Sequence, residues 1–391
     1  MAWLPRFVDS LRGNRRAPFY DVSVSASSQA SVLRKLEQVL TVSDLPDQYR
    51  VVRDFEREFA KRFGGGYARG LNSGSTALYF ALKALGVGPG KEVITVANTF
   101  VSTVSAVVQT GATCRFADID PVTGLMPPEA LGALINERTA AIVPVHMYGA
   151  MADMARICAH AESAGIPVIE DACQAIGATQ AGRAAGTWGS VGCFSFHATK
   201  LVGAPADGGL VLTQTEALHE AISAMAEPSW ENALFDGQER MPSRLSALSV
   251  PVLRARLTEL DGVIERRAAQ YARYRTGLAS HAQVRLLAPV PGTRSSFRNV
   301  IITSPRSAVV ADALKKRRLP TRKIYPQSLT LIDHIELSGQ SLPNTRRLLQ
   351  QHLAVPVGHQ FSDAQIDEVI ETVLEVHRAD RFERSERQGA S

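Results

Sequence analysis

Cys193-Phe194-Ser195-Phe196-His197-Ala198-Thr199-Lys200, followed by Asp207-Gly208-Gly209, sets one lysine between a short apolar run and a glycine-rich turn. Partial burial in such a place disfavours the charged form of an amine. An unperturbed lysine, with a pKa of roughly 10.4, offers a free amine in only about one molecule in two thousand at neutral pH. Burial, or covalent capture by an aldehyde cofactor, changes that. Lys200 reads as a Schiff-base lysine only in the company of what lies upstream; the octapeptide alone favours an ordinary surface lysine at the end of a buried strand.

Upstream, apolar runs of strand length alternate with segments of helical spacing. Tyr67 to Leu71 reads as a strand, Asn72-Ser73-Gly74-Ser75-Thr76 opens a helix through Leu85, Glu92 to Val96 is a strand and Phe100 to Val108 a helix. Further strands follow at Thr113 to Ala117, Thr139 to Val145 and Pro167 to Glu170, separated by helices at Pro128 to Leu134 and Asp153 to Ala164. This alternation predicts an α/β fold with a mainly parallel sheet covered on both faces, binding its ligands at the carboxyl ends of the strands. Two helices precede it, one from Ser31 and one stopped by Gly64-Gly65-Gly66. A long helix starting near Leu245 carries the chain onward to a strand at Phe297 to Thr303, a helix at Ala308 to Leu314 and a last helix at Asp363 to Val376, capped by Ser362. The expected division is an irregular arm at residues 1–30, a large domain at 31–244, a smaller C-terminal domain at 245–378 entered by the long helix, and a charged, disordered tail at 379–391.

With 391 residues and 45% apolar content the chain can bury a sizeable core. A net charge of +5 is mild and suits an anionic small substrate as readily as a nucleic acid. The basic run Lys315-Lys316-Arg317-Arg318 follows Val309, Val310, Ala313 and Leu314 at helical spacing and carries no interleaved aromatics. It therefore reads as the last turn of a helix, where cations complement the dipole, and not as a polynucleotide patch. Cys114, Cys158, Cys173 and Cys193 show no metal-finger or disulfide spacing, which fits a reducing cytoplasm. No apolar run approaches the length of a membrane span, and the basic stretch from Met1 to Pro18 is broken by Pro5, Asp9 and Gly13. A cytoplasmic enzyme without metal, membrane or nucleic-acid partner is the expectation.

Four strand ends carry candidate chemistry. Gly74-Ser75-Thr76, between a strand and a helix, aims backbone N–H groups and a helix dipole at one spot, which suits a phosphate dianion or, equally simply, a Ser/Thr helix cap. Asp171 in Ile169-Glu170-Asp171-Ala172-Cys173-Gln174 ends an apolar strand, where an unpaired charge is costly; a protonated pyridine nitrogen would answer it, and so would service as a helix N-cap. Phe100 would stack on a flat ring or pack in the core. His146 and Tyr148 close another strand and would line the same mouth; His146, without a partner at metal-ligand spacing, reads as a core or supporting histidine.

In order, Gly-Ser-Thr, an aromatic, His-x-Tyr-Gly, Asp-x-x-Gln, Ser-x-x-x-x-Lys and Asp-Gly-Gly resemble the DegT/StrS-like sugar aminotransferase family of fold type I pyridoxal-phosphate enzymes, over roughly residues 52–209 and more weakly to about 376. The resemblance implies a large domain with a seven-stranded-type sheet, a smaller C-terminal α+β domain, pyridoxal 5'-phosphate as cofactor, and a homodimer with its sites at the interface. It also implies roles. Lys200 forms the Schiff base, Asp171 pairs with the pyridine nitrogen, Gln174 lies near the ring hydroxyl, Gly74, Ser75 and Ser195 hold the phosphate, and Phe100 covers a ring face. Relatives that deoxygenate sugars have histidine in place of the lysine, so Lys200 implies transamination, from glutamate or glutamine to a keto sugar, usually nucleotide-linked, or to a keto-cyclitol in a biosynthetic pathway. The alternatives are an aromatising dehydratase or lyase of the same family, with which Val145-His146-Met147 and Met151-Ala152-Asp153-Met154 are compatible, and a non-catalytic regulator that keeps the fold. Two positions depart from the family pattern. Pro242 stands where relatives carry an asparagine that reaches the neighbouring subunit's phosphate, and Ile324-Tyr325-Pro326 stands for His-Tyr-Pro.

Overall fold

The computed structural model describes residues 17–42, 44–227 and 240–389. Helix α1 (Ala26–Thr41) begins where the Ser25 hydroxyl accepts from the Ser28 N–H, and α2 (Leu45–Phe63) ends at Gly64, whose φ of 72° is the left-handed turn that a glycine accepts at least cost. The first sixteen residues of the expected arm lie outside the described residues, and the rest of it gives way to helix at Ala26.

Strands and helices then alternate as β1 (Tyr67–Leu71), α3 (Gly74–Ala84), β2 (Glu92–Val96), α4 (Val101–Gln109), β3 (Thr113–Ala117), β4 (Thr139–Ile142), α5 (Met154–Ser163) and β5 (Ile169–Asp171). Two short strands, β6 (Thr179–Gln180) and β7 (Arg183–Ala184), lead to β8 (Val191–Ser195), β9 (Gly209–Thr213) and α6 (Glu216–Ala226). The ladder of β4 stops at Ile142, short of the expected Val145, because Pro144 has no N–H to donate. Val145 still makes an isolated parallel bridge to Asp171, and Ile142 another to Val168, so β4 runs alongside β5. β3-β2-β4 and β5-β8 are parallel, whereas β9 lies antiparallel between β8 and β1.

Side chains on these strands alternate between two cores, as a pleated sheet covered on both faces requires. On β8, Phe194 joins the cluster around Phe55, Phe59 and Phe196, and Val191 and Cys193 join the one around Leu78, Phe80 and Leu82. The same split separates Ile94 and Val96 from Val93 on β2. α2 packs on the first face through Phe55 and Phe59, α3 on the second.

The long helix α7 (Val250–Leu278) leads to β10 (Arg285–Leu286), β11 (Thr293–Arg294), β12 (Val300–Thr303), α8 (Ser307–Lys316), α9 (Ser328–Leu337), α10 (Pro343–Gln351), β13 (His352–Val355) and α11 (Asp363–Gly389). β10, β12 and β13 form an antiparallel sheet over a third core that includes Tyr274, Ile302, Leu353 and Phe361, while β11 pairs back onto β6. Ser362 caps α11 as expected: its hydroxyl accepts from Gln365 N–H at 3.3 Å and Gln365 Oε1 accepts from Ser362 N–H at 3.0 Å, a reciprocal capping box. α11 runs on to Gly389 through a stretch rich in Arg and Glu, good helix formers, across most of the segment expected to be a disordered tail. Lys315 and Lys316 lie in the last turn of α8, the helix end read from the basic run.

Phe59 is fully buried, its ring 4.7 Å from Phe63, 5.0 Å from Phe194 and 5.8 Å from Phe196. It joins α2 to the strand that leads to Lys200. Phe59→Ala is expected to cost about 3–5 kcal/mol in urea unfolding; a loss under about 1 kcal/mol would mean this face carries little of the fold's stability.

Candidate active site

Where β1, β2, β5 and β8 end, and where the antiparallel β9 begins, the chain leaves a cavity of about 560 Å³. Gly74, Ser75, Phe100, Asp171, Gln174, Ser195 and Lys200 all stand in its wall. Parallel strands present the same end to one place, so residues far apart in sequence converge there.

Lys200 sits in the turn after β8, its N–H donating to the His197 carbonyl at 2.8 Å. Its ammonium makes no hydrogen bond or ion pair among the described residues. Burial, then the nearby positive charge of Arg298, pull its pKa down to about 8. At pH 7 roughly one molecule in ten would then carry the free amine.

Asp171, the last residue of β5, is 5% exposed. Its Oδ2 accepts from Thr103 Oγ1 at 2.7 Å and its Oδ1 from Cys173 N–H at 3.2 Å. No cation pairs with it among the described residues. The chain turns without forming a helix after Asp171, so the N-cap reading does not hold. Gln174 is clamped at both ends of its amide: Oε1 accepts from Tyr148 N–H at 3.2 Å and Nε2 donates to the Tyr325 hydroxyl at 3.1 Å.

The cap of α3 is Ser73, whose hydroxyl accepts from Thr76 N–H at 3.1 Å. That leaves the N–H groups of Gly74 and Ser75 among those a helix cannot satisfy internally. A Cβ on Gly74 would fall 2.8 Å from Cys173 Sγ and 2.9 Å from Ser195 Cβ, so only glycine lets this helix end meet β8. Ser75 Oγ donates to Ser102 Oγ at 2.7 Å, and Ser195 Oγ accepts from His197 N–H at 3.4 Å. Phe100 is 46% exposed at the rim, its ring 5.1 Å from that of Tyr325, and is not a core residue.

His146 and Tyr148 do not line the mouth, contrary to expectation. Both are buried behind it. His146 Nδ1 accepts from Ala152 N–H at 3.2 Å, so its proton is on Nε2, which donates to Glu170 at 2.9 Å. Tyr148 donates to Asn98 Oδ1 at 3.0 Å, and burial pushes its pKa up. Pro242 is exposed, while Ser243 beside it is buried and accepts from Asn72 N–H at 3.1 Å. Ile324 is buried in the cavity wall and brings no ionisable group.

Several wall residues escaped the sequence reading: Tyr20, Thr103, Arg298, Arg322 and Tyr325. Tyr325 stood within a recognised motif, and Thr103 lies one helical turn beyond Thr99, so both were within reach of pattern reasoning. Tyr20 and Arg298 are brought in by tertiary packing and carry no local signal.

Known proteins match this geometry. A profile of the DegT/DnrJ/EryC1/StrS aminotransferase family fits residues 27–374. A pleiotropic regulatory protein of Geobacillus stearothermophilus is 32% identical over 92% of this chain and 98% of its own. The dTDP-3-amino-3,4,6-trideoxy-alpha-D-glucose transaminase of Micromonospora megalomicea subsp. nigra is 34% identical over 83% of this chain and 89% of its own. Among solved structures, S. venezuelae DesV in complex with a ketimine intermediate superposes with a TM-score of 0.85 at 32% identity, covering 93% of this chain and 98% of that one. The chain belongs to the DegT/DnrJ/EryC1/StrS aminotransferase family.

Because only the neutral amine attacks an acylating reagent, labelling of Lys200 in cofactor-free protein should rise with pH through a midpoint near pH 8. Exposed lysines keep rising to about pH 10. Peptide mass spectrometry after brief labelling reads this, and an inflection near pH 10 at Lys200 would contradict the buried, cation-flanked amine.

Proposed function

We propose that the chain is a pyridoxal 5'-phosphate-dependent aminotransferase that moves the amino group of glutamate or glutamine onto a keto sugar, nucleotide-linked as in the Micromonospora relative. One observation carries this reading: a lysine amine without a partner and a buried carboxylate without a cation, among the described residues, line one cavity beside the open N-terminus of a helix. Each lacks what a phosphorylated pyridine aldehyde brings, namely an aldehyde carbon, a protonated ring nitrogen and a phosphate dianion. The residues fit the group.

Bound there, the cofactor supplies an electron sink for the carbon that loses a proton. Lys200 would hold the cofactor through its Nζ. Once released, its Nζ takes the proton from the donor's α carbon and, in the second half of the reaction, delivers one to the former ketone carbon of the acceptor. The donor leaves as its keto acid and the acceptor as an amine. Asp171, fixed by Thr103, keeps the ring nitrogen charged; an opposite charge in contact moves such a pKa by about 1–3 units. The N–H groups of Gly74 and Ser75, with the Ser195 hydroxyl, hold the phosphate. Phe100 covers one ring face and Gln174 meets the ring hydroxyl. The enzyme works in the cytoplasm as a homodimer, with exposed Phe100 at the rim and exposed Val101 and Val108 along α4 as surface for the second copy to cover. Among the described residues no helix is long and apolar enough to cross a membrane.

The name of the Geobacillus relative favours a second reading, a regulator that keeps the fold. The convergence of Lys200, Asp171 and the open end of α3 on one cavity argues against it. Of the residues compatible with the dehydratase alternative, only Val145 stands in the cavity wall, and it brings no acid or base.

Incubation with pyridoxal phosphate, glutamate and dTDP- or UDP-linked 3-keto sugars should release 2-oxoglutarate and yield the amino sugar. Lys200→Ala should fold, lose the visible absorption of the lysine-bound cofactor and lose turnover by at least about 10³-fold, since it removes both nucleophile and base. Visible absorption that survives in Lys200→Ala would refute the assignment. Asp171→Ala should keep the absorption but slow turnover by roughly 10- to 10³-fold, the rate equivalent of that pKa shift.

A further inference from the structure

We propose that Thr99 is a positioning residue for Asp171: it begins a one-way chain of hydroxyls, Thr99 to Thr103 to Asp171, that holds the carboxylate charged and in place. The inference rests on the aminotransferase reading only in giving that carboxylate a ring nitrogen to meet.

Thr99 Oγ1 lies 2.7 Å from Thr103 Oγ1, and Thr103 Oγ1 lies 2.7 Å from Asp171 Oδ2. Both threonines stand in the cavity wall, and they are 2% and 1% exposed. They are four residues apart across the start of α4, where Thr103 N–H donates to the Phe100 carbonyl at 3.1 Å. Ser328, at the start of α9, steadies the outer end, its hydroxyl donating to the Thr99 carbonyl at 3.4 Å.

Proton counting gives the chain its direction. A hydroxyl has one proton to donate, and an ionised carboxylate only accepts. Thr103 therefore gives its proton to Asp171, and its oxygen is left to accept from Thr99. The opposite direction requires Asp171 to donate, which a carboxyl does only when protonated and neutral. The orientation of both hydroxyls and the charge on Asp171 are thus one choice, and each bond in such a chain polarises the next. Without Thr99, the buried oxygen of Thr103 loses its donor and the bond to Asp171 its reinforcement.

Helix packing alone does not call for this arrangement. A helical threonine ordinarily bonds a backbone carbonyl of the preceding turn. Thr110 does so at the other end of α4, donating to the Val107 carbonyl at 2.7 Å. Thr99 and Thr103 turn instead toward a side chain on β5, and the groups around Asp171 leave the task to them. Burial, then the negative charge of Asp171, push the Cys173 and Cys193 thiols well above their usual range, and burial pushes Tyr325 up to about 12, so all three are neutral at pH 7. Lys200, whose amine also feels Asp171, is the residue the cofactor engages.

The test reconstitutes cofactor-free protein with pyridoxal 5'-phosphate and reads the dissociation constant from the visible absorption. The variants are Thr99→Val, Thr103→Val, Thr103→Ser, the Thr99→Val/Thr103→Val double variant and Thr110→Val; valine keeps the branched shape and drops the hydroxyl. Thr103→Val should weaken the cofactor at least about 10-fold, the cost of a bond to a charged group, Thr99→Val roughly 2- to 5-fold, and Thr103→Ser less than about 2-fold. Thr99→Val should add nothing to Thr103→Val, because the chain is then already cut. In the half-reaction with L-glutamate, followed by the same absorption, Thr99→Val should lower the rate at saturation and leave the half-saturating concentration unchanged. Thr110→Val, which leaves the chain intact, should match wild type in both measurements. Losses that multiply in the double variant, an unchanged Thr99→Val, or a Thr110→Val as impaired as Thr99→Val overturn the proposal. Should Thr103→Val fail to fold, Thr99→Val against Thr110→Val decides alone. A wild-type protein without visible absorption refutes the aminotransferase reading itself, whereas normal absorption with multiplying losses refutes only this inference.

Discussion

Two neighbouring carboxylates on β5, one held by four donors and one by two, organise the centre of this molecule. Successive side chains of a strand point to opposite faces. Glu170, on the back, accepts from His146 Nε2 at 2.9 Å, from the N–H groups of Gly186 and Gly189 at 2.8 Å and from that of Trp188. Asp171, on the front, accepts from two, and neither carboxylate meets a cation among the described residues. Were the register of β5 to slip by one residue, the two carboxylates would exchange faces, and His146 would lose its partner. The backbone prevents this: Asp171 N–H donates to the Pro144 carbonyl and its own carbonyl accepts from His146 N–H, both at 3.0 Å. The buried pair on the back is a structural lock that holds Asp171 on the front.

Close approach is the second constraint. α3 must bring its N-terminus against β8 and β9, and glycines make room for it. A Cβ on Gly209 would lie 2.2 Å from the Ser73 carbonyl carbon, and one on Gly208 would lie 2.8 Å from Leu245 Cδ1. The Asp207-Gly208-Gly209 turn therefore works by absence of side chain, seating a helix end beside Lys200. Fold and site are one packing problem here, since the same contacts that close the sheet aim the backbone N–H groups into the cavity.

This explains how far the sequence could be read. Strand ends, glycine turns and the spacing from Ser195 to Lys200 are local signals, and they led to Gly74, Ser75, Asp171, Gln174, Ser195 and Lys200 at one cavity. His146 and Tyr148 looked equivalent, because they too close a strand, but periodicity cannot say whether a polar side chain faces the mouth or a buried carboxylate behind it. Thr103, one turn into α4, shows that the partner of a buried charge is legible only after the strand and the helix are placed side by side. Arg298 and Tyr20 had no pattern at all; they arrive by long-range packing of the C-terminal segment and the chain's start.

That difference separates chemistry from specificity in physical terms. The segment that carries Arg322, Ile324 and Tyr325 is pinned to β13: Arg322 N–H donates to the Ala354 carbonyl at 3.1 Å and Ile324 N–H to His352 Nε2 at 2.8 Å. Burial, then the charge of Lys323, hold the pKa of His352 down at about 4, so at neutral pH its Nε2 stays an acceptor and the segment stays in place. Tyr325, at a left-handed φ of 52°, then meets the amide of Gln174. A neutral histidine outside the cavity thus does the anchoring, and Ile324 is free to be apolar. This part of the cavity wall is set by how the C-terminal segment is tied to its sheet, apart from the strand ends that hold Lys200 and Asp171.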